Sequence, residues 1–296
     1  MQVFMTGASG YLGGVVAEHM VAAGHTVTAL TRSEESKARV EARGARAIPG
    51  DLGNPLVLRG AAEDADAVIH LAVDYFDPRM RDIEQAALAG MLSVPGSGRV
   101  FVYTSTGLVY PDTGGRAVSE DVPVDPGSSP QPHKVLGEQQ VLAADQVAAT
   151  VIRAGMVYGR GGSGLLDRMI AGGRQQGAVP YIGEGANEWS SVHVDDLAEL
   201  YVAAVTKGLD GVVVNAAART RTTMRQLAEA VAALTGAQPL SLTREQAEQA
   251  MGADAVAVLT RSSPLDPTRA EQLFGWRTTS AGLLEELASG SYGSPV

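Results

Sequence analysis

The stretch Thr6-Gly7-Ala8-Ser9-Gly10-Tyr11-Leu12-Gly13-Gly14 decides how the chain is read. It follows an apolar run, Val3-Phe4-Met5, and leads into Leu12, Val15, Val16, Met20 and Ala23, which recur at helical spacing until Gly24. A glycine loop between a buried strand and a helix has a mechanical meaning. Gly7 permits the tight turn, Gly10 lets the backbone approach a pyrophosphate, and Gly13 lets helix and strand pack closely. The free N–H groups and partial positive charge of the helix N-terminus then face the phosphates. Thr6, Gly7, Ser9, Gly10, Tyr11, Leu12 and Gly13 are therefore candidate cofactor-binding residues.

Outward from this loop the alternation continues. The pattern predicts strands at Thr26–Leu30, Ala45–Ile48, Ala67–Leu71, Val100–Thr104 and Thr150–Arg153. Between them it predicts helices near Ser33–Arg43, Pro55–Ala62, Pro78–Leu92 and His133–Val147. Such alternation gives parallel βαβ units with helices on both faces, a doubly wound α/β (Rossmann) sheet. Gly107–Pro132, rich in Gly, Pro, Asp and Ser, is too long for an ordinary connection and reads as a segment that shapes a site. Val192–Thr206 reads as a short extended piece entering a helix, and Gly211–Val214 as one more buried strand. The remainder is mostly helical. The expected organisation is a cofactor domain, residues 1–155 plus 189–218, and a smaller, mainly helical substrate domain, residues 156–188 plus 219–296.

Cofactor type is read at the end of the second strand, where NAD-binding proteins place an acid on the ribose 2′-OH. Here the chain runs Leu30-Thr31-Arg32-Ser33, with no carboxylate before Glu34. Arg32 can fork onto a 2′-phosphate and Ser33 can donate to it, which favours NADP(H). Asp51 and Leu52 after the third strand, and Leu71 and Ala72 after the fourth, would flank the adenine and the middle of the cofactor. His70 reads as a satisfied strand-end histidine.

Composition narrows the function. A chain of 296 residues with 45% hydrophobic content has ample material for a core. A net charge of −10 without a basic block argues against nucleic acid, because phosphate neutralisation needs clustered Lys and Arg. The absence of cysteine removes disulfides, thiolate nucleophiles and Cys-based metal sites, and His19, His25, His70, His133 and His193 have no metal-ligand spacing, so no metal is expected. Met1 leads directly into a strand, and no stretch offers the roughly 20 apolar residues of a membrane helix. A cytoplasmic protein acting on a small molecule, with no membrane partner, is expected.

The matches TGASGYLG at 6–13, GDL at 50–52, HLA at 70–72, YTSTGLVY at 103–110, HK followed by Glu at 133–138, IRAGMVYG at 152–159, WSSVHVDDLA at 189–198 and FGW at 274–276 run in one order along the chain. Together they resemble the extended short-chain dehydrogenase/reductase superfamily, in its epimerase/dehydratase-like branch. The resemblance implies a hydroxyl that orients the substrate at Thr106, with Thr104 just before it, and a lysine on the nicotinamide ribose at Lys134. It also implies a possible homodimer. Only Lys37, Lys134 and Lys207 are lysines, so one stands at the family position in a chain that otherwise uses arginine. The compact ammonium head suits two ribose hydroxyls.

One family residue is missing. The catalytic tyrosine should stand four residues before Lys134, where the chain has Pro130, and no tyrosine lies between Tyr110 and Tyr158. Proline has no proton to give. Three accounts follow. Another group could supply the proton: His133, whose imidazole titrates near neutrality, Tyr75 or Asp74 after the fourth strand, or Tyr158. The substrate could be an iminium or conjugated acceptor that needs little acid assistance. Or the chain binds the cofactor without turnover, as a sensor. The leading expectation is an NADPH-dependent reductase or dehydrogenase. Transient use of the cofactor by an epimerase, dehydratase or isomerase is the enzymatic alternative. In the segment around His193, Asp195 or Asp196 is expected to cap a helix.

Overall fold

The structure, a computed structural model, describes residues 1–74, 77–96 and 98–293. The chain alternates through β1 (Gln2–Thr6), α1 (Tyr11–Ala22), β2 (Thr26–Thr31), α2 (Glu34–Glu41), β3 (Arg46–Pro49), α3 (Pro55–Glu63), β4 (Ala67–His70), α4 (Met80–Leu92), β5 (Arg99–Thr106), α5 (Pro132–Leu142) and β6 (Val147–Ala154). There follow β7 (Met156–Tyr158), α6 (Gly164–Gln176), β8 (Ala178–Ile182), β9 (Glu188–Trp189), β10 (Ser191–His193), α7 (Val194–Lys207) and β11 (Val212–Ala216). Last come β12 (Thr222–Thr223), α8 (Met224–Thr235), β13 (Gln238–Leu242), α9 (Arg244–Met251), α10 (Ala253–Leu259), α11 (Thr268–Phe274) and α12 (Leu283–Ser289).

Seven parallel strands form the main sheet in the order β11-β6-β5-β4-β1-β2-β3. Successive side chains of a strand point to opposite faces, and here both faces are apolar. Val3 and Met5 pack with α1, α7 and α11 on one side, whereas Phe4 packs with α3, α4 and α5 on the other. This is why the strands read as unbroken apolar runs. Chain direction switches sides between β1 and β4, so a crevice opens at the C-terminal ends of the strands there.

Beyond the sheet, α6, α8 and α12 pack around Tyr158, Leu166, Val231 and Leu287 in a separate core. Two short pairs, parallel β8–β13 and antiparallel β9–β12, stiffen this otherwise helical part. They were not expected from the sequence: β13 is exposed over Gln238–Ser241, so no buried apolar run marks it. The expected helix His133–Val147 also ends early, at Leu142. The alanines after it are good helix formers, but β6 pairs with β5 along its full length, starting at Arg99↔Val147, and that ladder claims residues 147–149. No helix of the described residues is long and apolar enough to cross a membrane.

Candidate active site and cofactor cleft

At the switch point lies a cleft of about 610 Å³. Gly7, Ser9, Gly10, Tyr11, Leu12, Gly13, Arg32, Asp51, Leu52, Leu71 and Ala72 line it, all of them sequence candidates. The glycines explain the shape. Gly7 has φ +79°, and a Cβ there would stand 2.8 Å from the Ala72 amide nitrogen; one on Gly13 would stand 2.1 Å from the Gly7 carbonyl oxygen. A Cβ on Gly10 would meet only the Gly7 oxygen, at 3.3 Å, a tight contact but well short of the overlap at Gly7 and Gly13. α1 has no side-chain N-cap and no acid in its first turn. Its N–H groups are thus left for an anion, which is how the residues present fit a dinucleotide pyrophosphate.

Four candidates take other places. Thr6 is fully buried; its hydroxyl meets His70 Nδ1 at 2.7 Å and accepts from the Ala72 amide at 3.2 Å, stitching β1 to the end of β4. Ser33 caps α2 in a box with Ser36 and lines the adjoining hollow at the ends of β2 and β3 together with Arg32 and Lys37. Thr104 Oγ1 pairs with the Tyr201 hydroxyl at 2.6 Å. Lys134 Nζ lies 2.7 Å from Glu84 Oε1 and 5.0 Å from the Tyr103 ring centroid, with its side chain 3% exposed.

Thr106 lines a second cavity, about 130 Å³, over the ends of β5 and β6, with Leu108, Met156, Trp189, Ser190, Arg261 and Leu265 among its walls. Its Oγ1 accepts from the Leu108 amide at 3.2 Å, which leaves the hydroxyl proton directed elsewhere. Tyr110 is packed away: its hydroxyl donates to Asn215 Oδ1 at 2.9 Å and accepts from Arg153 Nη1 at 2.7 Å, and burial pushes its pKa up to about 12. Tyr158 donates to the Ala281 carbonyl, and burial raises its pKa also. Tyr75 lies outside the described residues.

A polar cluster sits under the strand ends. Glu84, wholly buried on α4, accepts from Lys134 and from the Tyr103 hydroxyl, each at 2.7 Å. His70 Nε2 stands 3.9 Å from its Oε1, and His133 Nε2 stands 3.9 Å from its Oε2. Burial pushes the Glu84 carboxyl up, but the charge of Lys134 and the hydrogen bonds from Lys134 and Tyr103 outweigh it, and the net direction is down. Burial keeps the His70 imidazole neutral, its pKa pushed down to about 4, and lowers that of His133 too. Glu138, the acid one turn after Lys134, forms a buried fork with Arg153, its Oε2 2.6 Å from Nη2.

Sequence reasoning missed Glu84, although a signal existed: it is the one acid among Met80, Ala87, Leu88 and Met91 on the buried face of α4. It also missed Asp77, Arg79 and Ile83 along the cleft, and Arg261, which lies where no motif was read. The expected aspartate cap is corrected. α7 starts at Val194, so His193 takes the cap position and its Nδ1 accepts from the Asp195 amide at 3.3 Å. Asp195 instead meets Arg160, and Asp196 accepts from the amides of Thr279 and Ser280 at 3.1 and 3.2 Å.

A parallel sheet with a glycine turn at its switch point defines a Rossmann-type nucleotide-binding protein. The family model for the NAD dependent epimerase/dehydratase family matches residues 3–217, and the chain belongs to that family, within the extended short-chain dehydrogenase/reductase superfamily of NAD(P)-dependent enzymes. Among relatives, an uncharacterized protein of Saccharomyces cerevisiae is 27% identical over 97% of this chain and 98% of its own. The 2-alkyl-3-oxoalkanoate reductase of Stenotrophomonas maltophilia is 30% identical over 67% of this chain and 63% of its own. The fold is that of the UDP-glucuronic acid 4-epimerase of Bacillus cereus, solved with UDP-glucuronic acid and NAD (TM-score 0.79, 20% identity, 99% of this chain and 98% of that one).

Proposed function

We propose that the chain is an NADPH-dependent reductase of a small organic carbonyl compound, with residues 1–155 plus 189–218 carrying the cofactor and residues 156–188 plus 219–296 closing over the substrate. The observation that carries this reading is Arg32 at the end of β2, where the chain has no carboxylate before Glu34. Arg32 is exposed there, and it and Lys37 line one hollow beside the cleft. A 2′-phosphate finds the Arg32 fork in that hollow, beside the Lys37 ammonium, which stands 3.6 Å from Glu34; Asp51 also lines it. Two relatives that are 30% identical, named as reductases of an oxoalkanoate and of a quinoline-oxide ketone, support net reduction.

When bound, the cofactor supplies hydride to the carbonyl carbon. Thr106 donates its free hydroxyl proton as a hydrogen bond to the carbonyl oxygen and so holds the reacting bond in line. Pro130 gives nothing, and we assign the final proton to water entering past Thr106. Lys134, tied to Glu84, holds α5 against α4 beneath the nicotinamide end. Substitution of Thr106 by Ala is expected to lower kcat about 100-fold while NADPH binding stays intact. Steady-state kinetics beside a fluorescence titration of NADPH checks this; unaltered kcat would remove Thr106 from the mechanism, and loss of NADPH binding would place it in the cofactor site.

A second reading, transient oxidation and re-reduction by an epimerase, is favoured by the family itself and by a UDP-glucose 4-epimerase of Mycolicibacterium smegmatis that is 26% identical over 80% of this chain. It requires nucleotide retained through purification, where net reduction requires exchangeable NADPH.

A further inference from the structure

The cavity beside Thr106 carries a cation that the reduction of a ketone does not by itself explain. Arg261 lines it at partial exposure, together with the apolar side chains of Leu108, Met156 and Leu265. Its backbone is fixed, because its carbonyl accepts from Asn187 Nδ2 at 3.1 Å and Trp189 Nε1 at 3.2 Å. Among the described residues its guanidinium has only one long contact, Nη1 to the Tyr110 carbonyl at 3.4 Å. The neighbouring acids are committed elsewhere. Asp112 takes the amides of Gly114 and Ser262 at 2.9 and 3.2 Å, and Glu188 pairs with Arg221 at 3.1 Å. Arg153, on the Tyr110 hydroxyl, is spent on Glu138. In a chain of net charge −10, a half-buried arginine with no carboxylate partner among the described residues is left with its fork for an incoming anion.

The geometry points to a small oxo-carboxylate as the substrate class, its carboxylate on Arg261 and its ketone at Thr106. This rests on the reductase reading and deepens it. The cavity of about 130 Å³ is of the order of one that admits benzene, about 150 Å³, so it suits an acid of about four to six carbons. The apolar wall takes the short alkyl chain. The reaction adds hydride from NADPH to the ketone carbon; the π pair moves to oxygen, which takes a proton from water, and the carboxylate is untouched. Arg261 is thus a positioning and specificity residue.

The test compares 2-oxobutanoate and 3-oxobutanoate with their methyl esters, in the full-length protein with NADPH. The acid is expected to exceed its ester about 30- to 100-fold in kcat/KM, and Arg261→Gln to bring that ratio near one with NADPH affinity kept. Arg261→Lys, which keeps the charge without the fork, falls between them. Separately, butanoate but not butanamide is expected to perturb Trp189 fluorescence in the wild type and not in Arg261→Gln. An acid-to-ester ratio near one in the wild type, or an equal fall for both in Arg261→Gln, overturns the substrate class while leaving the reductase reading in place. Failure to bind NADPH sinks the reductase reading, and the butanoate titration then decides the anion site alone. Arg261-dependent binding of UDP-glucose but not butanoate assigns the cation to a nucleotide sugar and overturns the proposal.

Discussion

Replacing Glu84 with Ala is expected to destabilise the fold by about 3–5 kcal/mol. Removing one partner of a buried ion pair leaves the other charge without compensation, and that costs more than the pair ever contributed. Here the stranded group is the Lys134 ammonium, 3% exposed, and the Tyr103 hydroxyl loses its acceptor at the same time. Glu84→Gln keeps an acceptor oxygen but not the charge and falls short of the alanine effect. The double variant Glu84→Gln, Lys134→Met removes both charges and is expected to recover most of the loss. Urea denaturation of the four proteins checks the series. A loss below about 1 kcal/mol for Glu84→Ala would mean that Lys134 reaches water or another carboxylate in solution.

Gly13→Ala is expected to cost about 3 kcal/mol or more and to abolish NADPH binding. The new Cβ would stand 2.1 Å from the Gly7 oxygen and 2.7 Å from its carbonyl carbon. Both are backbone atoms, so no rotamer change relieves the contact, and the turn that shapes the cleft must open. Gly10→Ala is the contrasting case. With the Gly7 oxygen at 3.3 Å the contact is tight rather than overlapping, so the variant is expected to lose less stability than Gly13→Ala and to lose NADPH binding, because Gly10 is where the backbone would meet a pyrophosphate. Thermal melts with and without NADPH separate the two effects. Equal behaviour of the two variants would show that the cleft is shaped by something other than this turn.

What the sequence disclosed and what it concealed divide along physical lines. Apolar runs such as Val3-Phe4-Met5 need two covering layers, and the glycine turn has one mechanical solution, so the doubly wound sheet and the cleft lining at Gly7, Gly10, Arg32 and Asp51 were legible. Element ends were less so, because the ladder with β5 rather than local propensity starts β6 at Val147. The α7 cap went to His193 instead of an aspartate for a similar reason: the helix begins where β10 lets go of β7. Concealed altogether were pairings across long separations. Glu84 and Lys134 are 50 residues apart, and nothing local to Lys134 announces its partner. Arg261 became visible only when the fold carried its loop over the end of β5.

The central claim, that this cleft takes NADPH for use as a reductant, is tested most directly by titrating the purified wild-type protein with NADPH and with NADH under one set of conditions. A 2′-phosphate held by Arg32 and Lys37 predicts that NADPH binds about 100-fold more tightly, equivalent to about 2.7 kcal/mol, and that Arg32→Ser removes most of the difference. Equal affinities, or tighter binding of NADH, would contradict it.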